Sequence, residues 1–478
     1  MAMLGKRRPP RERTGVSGLQ GRQMPHGSTP ADGRTGDGTL TIERLAHDGR
    51  GVTHSADGKA LFVSGALPDE RVEVAIHRTR KRFDEGHVRT LIETSPERVE
   101  PPCRHFTRCG GCDLQHLAVA AQRDHKRQVL VELLARQGVE APGHPELLAG
   151  RSDGYRRRAR LGVKVNAEGG VHLGFRARES HRLVDIQDCT ILVPELNALL
   201  PTLHALVAEL EAPRQVGHLE LVSSDQGLVV VLRQLREHTA DRQRWLAFAE
   251  AQGVHLARLL GRDAPALEWL TPEPALSCRL PTQQGELAMG FAPGDFLQAN
   301  AEINARMVET ALDWLGDIDG IALLDLFAGV GNFSLPLASS GADVMAVEGS
   351  PAMVERLASN AHVAGLPIAA RQADLGDSEA VAELLASHSP AVMLLDPPRE
   401  GAEAVVRALH EAPVPRVLYV SCDPATLARD AARLVHGGYR LTRIAVADMF
   451  VHTSHLESLL LFETPQAGRQ TEGAPLDG

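Results

Sequence analysis

Short runs of alternating hydrophobic and polar residues open the regular part of the chain and predict strands rather than helices. They include Ala60–Val63 and Arg71–Ile76, and turn signals such as Asp57-Gly58 separate them. Several short strands at this spacing are typical of a small β-barrel. We therefore expect a β-barrel domain over residues 36–94, of a type that often binds nucleic acid.

The C-terminal part of the chain instead alternates strand-like and helix-like runs. The strand-like runs are Ile321–Leu326, Asp343–Val347, Ala391–Leu395, Val417–Val420 and Ser458–Phe462. This alternation predicts an α/β fold, a doubly wound, mostly parallel, Rossmann-like sheet over residues 291–464. A mixed α+β central domain over residues 95–290 includes a helix at Ala118–Gln137 and a long β-type run at Leu219–Arg233.

Composition bounds the setting of these domains. Residues 1–35 are rich in Gly, Pro and Arg and are expected to form a disordered basic tail, with a second tail at residues 465–478. No apolar run approaches the ~20 residues that a membrane helix needs. The N-terminus lacks the pattern of a secretory signal, so we expect a cytoplasmic protein.

Charge is unevenly distributed along the 478 residues. The formal net charge of -10 argues against a uniformly basic nucleic-acid binder. Basic residues nevertheless cluster at Lys6–Arg13, His77–Arg82 and Tyr155–Arg160. One such cluster is as often a solvated face as a binding site, but three of them favour a polyanionic partner.

The cysteines are grouped rather than scattered. Four of the six are candidate metal ligands: Cys103, Cys109, Cys112 and Cys189. In a cytoplasmic chain this grouping favours a metal centre over disulfides. Four thiolates suit zinc or an iron–sulfur cluster, and three clustered cysteines with one distant one favour [4Fe-4S]. Cys278 has no such setting, and we assign it a structural role.

A glycine loop, Asp325–Asn332, follows the first strand of the C-terminal sheet and precedes a helix at Phe333–Ser339. It lacks the third glycine of the dinucleotide fingerprint and begins with an acid. Glu348 ends the next strand, where a carboxylate can accept both ribose hydroxyls of an adenosine. S-adenosylmethionine therefore fits this pattern better than NAD. Asp374 follows the third strand and is either a contact to the adenine or a turn residue.

Two further strand ends carry candidate chemistry. Asp396-Pro397-Pro398 ends the fourth strand, and Arg399 follows where enzymes that methylate amino groups usually place an aromatic residue. Cys422 ends the next strand, where open α/β sheets keep their reactive groups. The alternative for Cys422 is a small buried hydrophobic residue.

A strand-end thiol suits methylation of uracil. Carbon 5 of uracil is a poor nucleophile until a thiolate adds to carbon 6, and a base must later remove the carbon-5 proton. Cys422 is the predicted nucleophile and Glu457 the predicted base. His452 and His455 are the alternatives for the base.

These motifs resemble those of the iron–sulfur type of RNA uracil-5 methyltransferases. The resemblance covers about residues 38–464 and rests on CxxxxxCGGC, GDFLQAN (Gly294–Asn300), DLFAGVGNF, LLDPPR, VSCDPATLARD and HTSHLE. It implies a TRAM-type barrel that binds RNA, a central domain with a [4Fe-4S] cluster held by the four grouped cysteines, and a methyltransferase domain. It also implies that Cys422 is the nucleophile and Glu457 the base. Methyl donor and target base would be held by Gln298, Phe327, Asn332, Glu348, Asp374 and Asp396.

The sequence departs from the family at two places. Val451 stands where the family usually has proline, and the tail before residue 36 has no counterpart. Relatives that act on tRNA generally lack the barrel and the cysteines, so the resemblance favours 23S ribosomal RNA as the partner. It implies no membrane and no protein partner. A tRNA uridine methyltransferase stays open, as does a non-catalytic RNA-binding iron–sulfur protein, although the latter would not need Cys422 together with Glu457.

Overall fold

A computed structural model describes residues 38–263 and 265–465. The described chain divides into two compact units, one built from residues 38–46 with 50–96 and one from 47–49 with 97–263 and 265–465. The predicted tail at residues 1–35 lies outside the described residues, as does the predicted C-terminal tail except for Pro465. None of the helices in the described ranges has the length and apolar character needed to span a membrane.

The first unit is a six-stranded barrel. Its strands are β1 (Leu40–Thr41), β2 (Arg44–Leu45), β3 (Gly51–His54), β4 (Ala60–Ser64), β5 (Arg71–Thr79) and β6 (Phe83–Glu93). The order is β1-β5-β6-β4-β3-β2. Because the segment Leu40–Leu45 pairs with β5 at its start and with β3 at its end, the sheet closes on itself. Ile42, Leu61 and Val63 fill the interior, which confirms the predicted β-barrel.

The second unit begins with one helix and one strand, and a seven-stranded sheet with two helices follows. These elements are α1 (Val119–Arg136), β7 (Glu146–Leu148), β8 (Arg158–Val165), β9 (Val171–Arg176), β10 (Leu183–Asp185), α2 (Pro194–Glu209), β11 (Val216–Ser224), β12 (Gly227–Gln234), α3 (Thr239–Gln252), β13 (His255–Leu260) and β14 (Leu267–Trp269). A 3₁₀ helix at Pro213–Gln215 precedes β11. The predicted β-type run Leu219–Arg233 is a hairpin that turns at Asp225-Gln226, directly before Gly227, whose φ is +114°. Uniform apolar periodicity conceals such a turn.

A larger sheet fills the C-terminal half, after the hairpin β15 (Ser277–Thr282) and β16 (Gly285–Gly290). Its further elements are α4 (Ala301–Leu315), β17 (Ala322–Leu326), α5 (Ser334–Ser339), β18 (Asp343–Glu348), α6 (Pro351–Val363), β19 (Ala369–Gln372), α7 (Ser378–His388), β20 (Val392–Leu395), α8 (Glu403–Glu411), β21 (Arg416–Ser421), α9 (Pro424–His436), β22 (Arg440–Ala447) and β23 (Glu457–Glu463). The order is β19-β18-β17-β20-β21-β23-β22-β7. The first five strands are parallel and β23 runs antiparallel between β21 and β22. The predicted doubly wound, mostly parallel sheet is confirmed.

The central segment contributes to this C-terminal sheet. Strand β7 pairs in parallel with β22, so that Glu146 to Leu148 lie opposite Ala445 to Ala447. Leu130 and Leu134 of α1 are fully buried in the hydrophobic core beneath the same sheet. The predicted boundary between the central and C-terminal domains, at residues 290 and 291, therefore cuts through elements that pack together: α1 and β7 precede it but belong to the C-terminal sheet and its core.

Candidate active site

The strand ends of the C-terminal sheet bring most of the predicted site residues to one edge. Strands β17, β20 and β21 are parallel neighbours. The last residues of β17 and β20, Leu326 and Leu395, pair with each other, and β21 extends two residues beyond Tyr419, the partner of Leu395. The residues that follow directly are Phe327, Asp396 and Cys422, one on each strand. Glu457 starts the antiparallel strand β23, whose Ser458 pairs with Ser421 of β21. An antiparallel strand begins where its parallel neighbour ends, so Glu457 reaches the edge that carries Cys422.

The turn after β21 holds Cys422 in place. The Ser421 hydroxyl donates to the Asp423 carbonyl at 3.1 Å and accepts from the Asp423 N–H at 3.2 Å. The Asp423 carboxylate caps helix α9 by accepting the N–H groups of Ala425 and Thr426. Cys422 is thus fixed between a strand and a capped helix, and it keeps partial exposure.

Charge at this edge couples the thiol to two carboxyls and one cation. Burial, together with the charges of Glu457 and Asp396, raises the pKa of Cys422 to about 12, whereas the charge of Arg399 opposes the shift. Burial also raises the pKa of Glu457 to about 8, with Asp396 adding to the shift and Arg399 opposing it. Burial raises the pKa of Asp396 to about 7. A buried carboxyl with a pKa near 8 can exchange a proton near neutral pH.

The two histidines near Glu457 have different surroundings. The ring of His452 is buried, and its Nδ1 lies 3.2 Å from Gln122 Nε2 on helix α1. The ring of His455 packs against Phe450 with their centroids 5.9 Å apart. Burial lowers the pKa of both histidines. His452 is therefore engaged with helix α1, and Glu457 has the stronger electrostatic link to Cys422.

The glycine loop after β17 is braced from two sides. Phe327, Gly329 and Gly331 adopt positive φ values of 65°, 58° and 106°. The Glu348 carboxylate accepts the N–H of Gly329 at 3.1 Å, and Asn332 exchanges two side-chain hydrogen bonds with Asn304 of α4 at 2.8 and 3.0 Å. The loop is therefore fixed at the end of β17 by side chains of β18 and α4.

Asp325 lies in strand β17, directly below this loop. It is 1% exposed, its Oδ2 accepts the Ser334 hydroxyl, and its Oδ1 has no hydrogen-bond partner. Burial raises its pKa to about 7, helped by Asp396 and Glu348. A buried acceptor without a donor is costly unless a ligand or water supplies one.

Gln298 and Asp374 both lie on loops, Gln298 before helix α4 and Asp374 after strand β19. Gln298 is 5% exposed, and its carbonyl accepts the Nε of Arg157 at 2.8 Å. Asp374 follows β19, is exposed, and accepts the N–H of Gly376 at 2.9 Å. That bond is the turn role which the sequence left open as the alternative for Asp374.

The cysteines form a second cluster, which the pKa shifts reveal. Burial raises the pKa of Cys112 to about 12, and the neighbouring thiols of Cys189, Cys109 and Cys103 add to the shift. Burial raises the pKa of Cys189 to about 11, with Cys103 and Cys109 again contributing. The N–H of Gly111 donates to the Cys109 sulfur at 3.4 Å. Among residues 38–263 and 265–465, no group of three or more His, Cys, Asp or Glu is arranged to hold a metal ion.

The basic clusters differ in how far their side chains are exposed to solvent. The cluster at Tyr155–Arg160 is not a free cationic face: Arg157 is 7% exposed, and Arg158 forms a 2.6 Å ion pair with Glu220. Arg157 and Arg158 are therefore engaged within the protein, whereas Arg160 is exposed, and the polyanion contact suggested for this cluster stays a prediction. Residues 77–82, at the tip of the β5–β6 hairpin, are all exposed. Lys6–Arg13 lies outside the described residues.

Two residues of this site were missed as functional candidates. Arg399 acts electrostatically on both Cys422 and Glu457, and its place after the Asp-Pro-Pro motif was the available signal. Phe296 is 63% exposed on the loop that carries Gln298. Its neighbours Asp295 and Leu297 give no local signal for a site, because single exposed apolar residues are common on protein surfaces.

The fold and this edge define a class. A parallel sheet with a glycine loop after β17 and an antiparallel β23 inserted beside β21 is a Rossmann-like methyltransferase domain. The tRNA (uracil-5-)-methyltransferase family model matches residues 118–369 and 380–464, and the TRAM domain model matches residues 39–88. The chain belongs to the tRNA (uracil-5-)-methyltransferase family.

Known proteins similar to the chain include two with full-length matches. It is 60% identical to the 23S rRNA (uracil(1939)-C(5))-methyltransferase RlmD of Halomonas elongata, over 100% of both chains. It is 55% identical to the protein of the same name from Chromohalobacter salexigens, over 98% of each. The crystal structure of Pyrococcus abyssi tRNA (uracil-54, C5)-methyltransferase with S-adenosyl-L-homocysteine has a TM-score of 0.69 and 22% identity. It covers 89% of this chain and 100% of that one, and the likeness shows the fold.

Proposed function

We propose that the chain transfers a methyl group from S-adenosylmethionine to carbon 5 of a uridine in 23S ribosomal RNA, through a covalent adduct of Cys422. The proposed target is the position that the names of its RlmD relatives give, uracil 1939. The observation that carries this proposal is the pairing of a strand-end thiol with a buried carboxyl. Cys422 and Glu457 stand on adjacent antiparallel strands at the edge that also carries the glycine loop. The match to the RlmD proteins over the whole chain supports the substrate.

The residues of the glycine loop fit S-adenosylmethionine. The unpartnered Oδ1 of Asp325 offers a buried acceptor for a donor group, and Glu348 ends β18 where a carboxylate can accept ribose hydroxyls. The other residues proposed to bind S-adenosylmethionine are Phe327, Asn332, Asp374 and Gln298. When bound, S-adenosylmethionine supplies an electrophilic methyl group. Asp396 lies between this loop and Cys422, and we assign it to the target base.

The protein residues then divide the work on the uracil ring. Cys422 adds as a thiolate to carbon 6, which places the electron pair of the ring on carbon 5. The cation of Arg399 lowers the pKa of the thiol and supports the charged form. After carbon 5 has taken the methyl group, Glu457 removes the carbon-5 proton, the double bond re-forms and the sulfur leaves. Phe296 provides an exposed ring on which a base can stack.

The barrel and the cysteines favour ribosomal RNA over tRNA. The exposed basic tip at residues 77–82 gives the barrel a surface for phosphates. The matches to the two RlmD relatives cover 100% and 98% of the chain, and so extend over most or all of its barrel and cysteine segments. The tRNA uridine methyltransferase remains the alternative, since the matching family model carries the tRNA name.

The four grouped cysteines fit a [4Fe-4S] cluster. Their donor set is four thiols that act on one another electrostatically, and one of them accepts a backbone N–H at sulfur. In a four-iron cluster each thiolate binds a different iron, so its ligands stand further apart than those of a single ion. The cluster would be held by Cys103, Cys109, Cys112 and Cys189. It would join the loop that carries the first three of these cysteines to the segment around Cys189.

Methylation assays on purified 23S ribosomal RNA and tRNA test this function. Wild-type protein should methylate the ribosomal RNA. Cys422→Ala should neither methylate nor form an adduct, whereas Glu457→Gln should accumulate a methylated protein–RNA adduct on denaturing gels because elimination lacks its base. Asp124→Ala, which removes an exposed carboxylate of helix α1 that pairs with Arg127, should behave like wild type. Turnover by Cys422→Ala, or methyl transfer to tRNA alone, would contradict the proposal.

A further inference from the structure

The segment that carries the proposed base forms hydrogen bonds with the loop that carries three of the grouped cysteines. We call residues 448–457 the base loop and residues 103–114 the cysteine loop. The His452 carbonyl accepts the N–H groups of Asp113 at 3.0 Å and Leu114 at 2.9 Å. The Asp113 carboxylate in turn accepts the Ser454 N–H at 2.7 Å and the Ser454 hydroxyl at 3.0 Å. Four hydrogen bonds therefore join the two loops.

The base loop contains a conformation that needs this support. His452 has a φ of +68°, a left-handed backbone that costs a non-glycine residue on the order of 1–3 kcal/mol. Such residues persist where their surroundings hold them. The Gln122 side chain accepts the His452 N–H at 2.9 Å, and the Tyr155 hydroxyl donates to the Val451 carbonyl at 2.9 Å. The shape of the base loop is therefore imposed by its contacts.

The Asp113 bonds lie nearest to the proposed base. Ser454 precedes Glu457 by three residues, and β23 starts at Glu457 itself. On the other side, Asp113 directly follows Cys112, whose carbonyl accepts Arg178 Nη2 at 2.7 Å. The Asp113 carboxylate is thus the hydrogen-bonded link between the cysteine loop and the approach to Glu457.

We propose that Asp113 is a positioning residue for Glu457, which it orients by fixing Ser454. The inference rests on the proposed function. A general base must stand within about 2.6–3.2 Å of the proton it takes. A misplacement of about 1 Å can lower a rate a hundredfold. Because Glu457 acts after methyl transfer, a loosened base loop should slow the last step and leave the earlier ones intact.

Asp113→Ala and Asp113→Asn separate this role from a general structural one. With ribosomal RNA and labelled S-adenosylmethionine, Asp113→Ala should turn over roughly tenfold more slowly or worse. It should accumulate a methylated adduct, with unchanged KM for both substrates. Asp113→Asn should recover most of the turnover, because its amide can accept from the Ser454 N–H and donate to the hydroxyl. Asp124→Ala is the matched control, since its exposed carboxylate contacts Arg127 on α1.

The same assay contains the results that would overturn the inference. Wild-type turnover and adduct level in Asp113→Ala would do so, as would a loss of methyl transfer in a single turnover without any adduct. If Asp113→Ala does not fold, Ser454→Ala removes one of the two carboxylate contacts and should show the same effect more weakly; a wild-type adduct level there would also overturn it. Failure of the wild-type protein to methylate RNA at all would instead reject the proposed function, and the inference with it.

Discussion

Burial disfavours charge on the proposed nucleophile and on its base. The pKa of Cys422 is raised to about 12 and that of Glu457 to about 8. A proton on Glu457 removes one of the negative charges that oppose a thiolate at Cys422. Arg399 opposes both shifts, so one cation supports the charged forms of the two groups in turn. The pKa values of Cys422 and Glu457 are thus set by the same burial and the same neighbouring charges.

The pKa of Glu457 predicts how stability depends on pH. Its folded-state value near 8 lies above the ordinary value of 4.5, so between about pH 5 and 8 the folded state binds more protons than the unfolded state. The free energy of unfolding should therefore fall as pH rises through this window. Glu457→Gln removes this contribution, and its stability relative to wild type should increase from pH 5 to pH 8. Thermal unfolding at several pH values measures this, and parallel curves for the two proteins would contradict it.

At the scale of elements, similar basic sequences have opposite roles. Arg158 starts strand β8 and Arg157 directly precedes it, and both donate hydrogen bonds to the loop that carries Gln298. The tip of the β5–β6 hairpin exposes its basic residues instead. The difference comes from what packs over each segment. Arg157 lies beneath a loop 141 residues further along the chain, which local sequence does not reveal.

This difference can be measured with two matched variants. Arg157→Ala leaves the Gln298 carbonyl without its buried donor and should lower the free energy of unfolding by about 1–3 kcal/mol. It should leave the salt dependence of RNA binding unchanged. Arg80→Ala with Lys81→Ala should leave stability unchanged and lower the salt slope by about one for each lost phosphate contact. Denaturant unfolding and binding at several salt concentrations test both, and a reversed pattern would refute the assignment.

At the scale of the whole molecule, the proposed metal centre depends on parts far apart in sequence. Cys189 precedes helix α2, and its N–H donates to Asn197 Oδ1 at 2.7 Å. The other three cysteines lie before helix α1. An isolated β-bridge between Cys109 and Ala177 joins the cysteine loop to the turn after β9. Only the folded second unit brings the four thiols together.

Metal analysis tests that assembly. Protein purified without oxygen should carry about four irons per chain, as expected for four cysteine ligands around [4Fe-4S]. Cys112→Ala and Cys189→Ala should both lose iron, because the cluster needs ligands from both segments. Cys278→Ala should keep it. Stoichiometric zinc without iron would rule out the cluster.

Local sequence was sufficient for several parts of this protein. Alternating polarity predicted the barrel strands, and apolar runs followed by helical periodicity predicted the parallel sheet. Because parallel strands end at one edge, the residues after β17, β20 and β21 could be expected to meet there. The doubly wound fold and a single edge carrying Phe327, Asp396 and Cys422 follow from such short-range rules.

Tertiary structure decided what depends on distant contacts. It showed Leu219–Arg233 to be a hairpin, added β7 to the C-terminal sheet, and buried Arg157 instead of exposing it. It also joined Asp113 to Ser454, two residues 341 positions apart. Periodicity reports which face of an element is apolar, but not which other element covers it. The sequence by itself determined the kinds of element and the strand-end chemistry, whereas the partners of buried polar groups were set only by the folded chain.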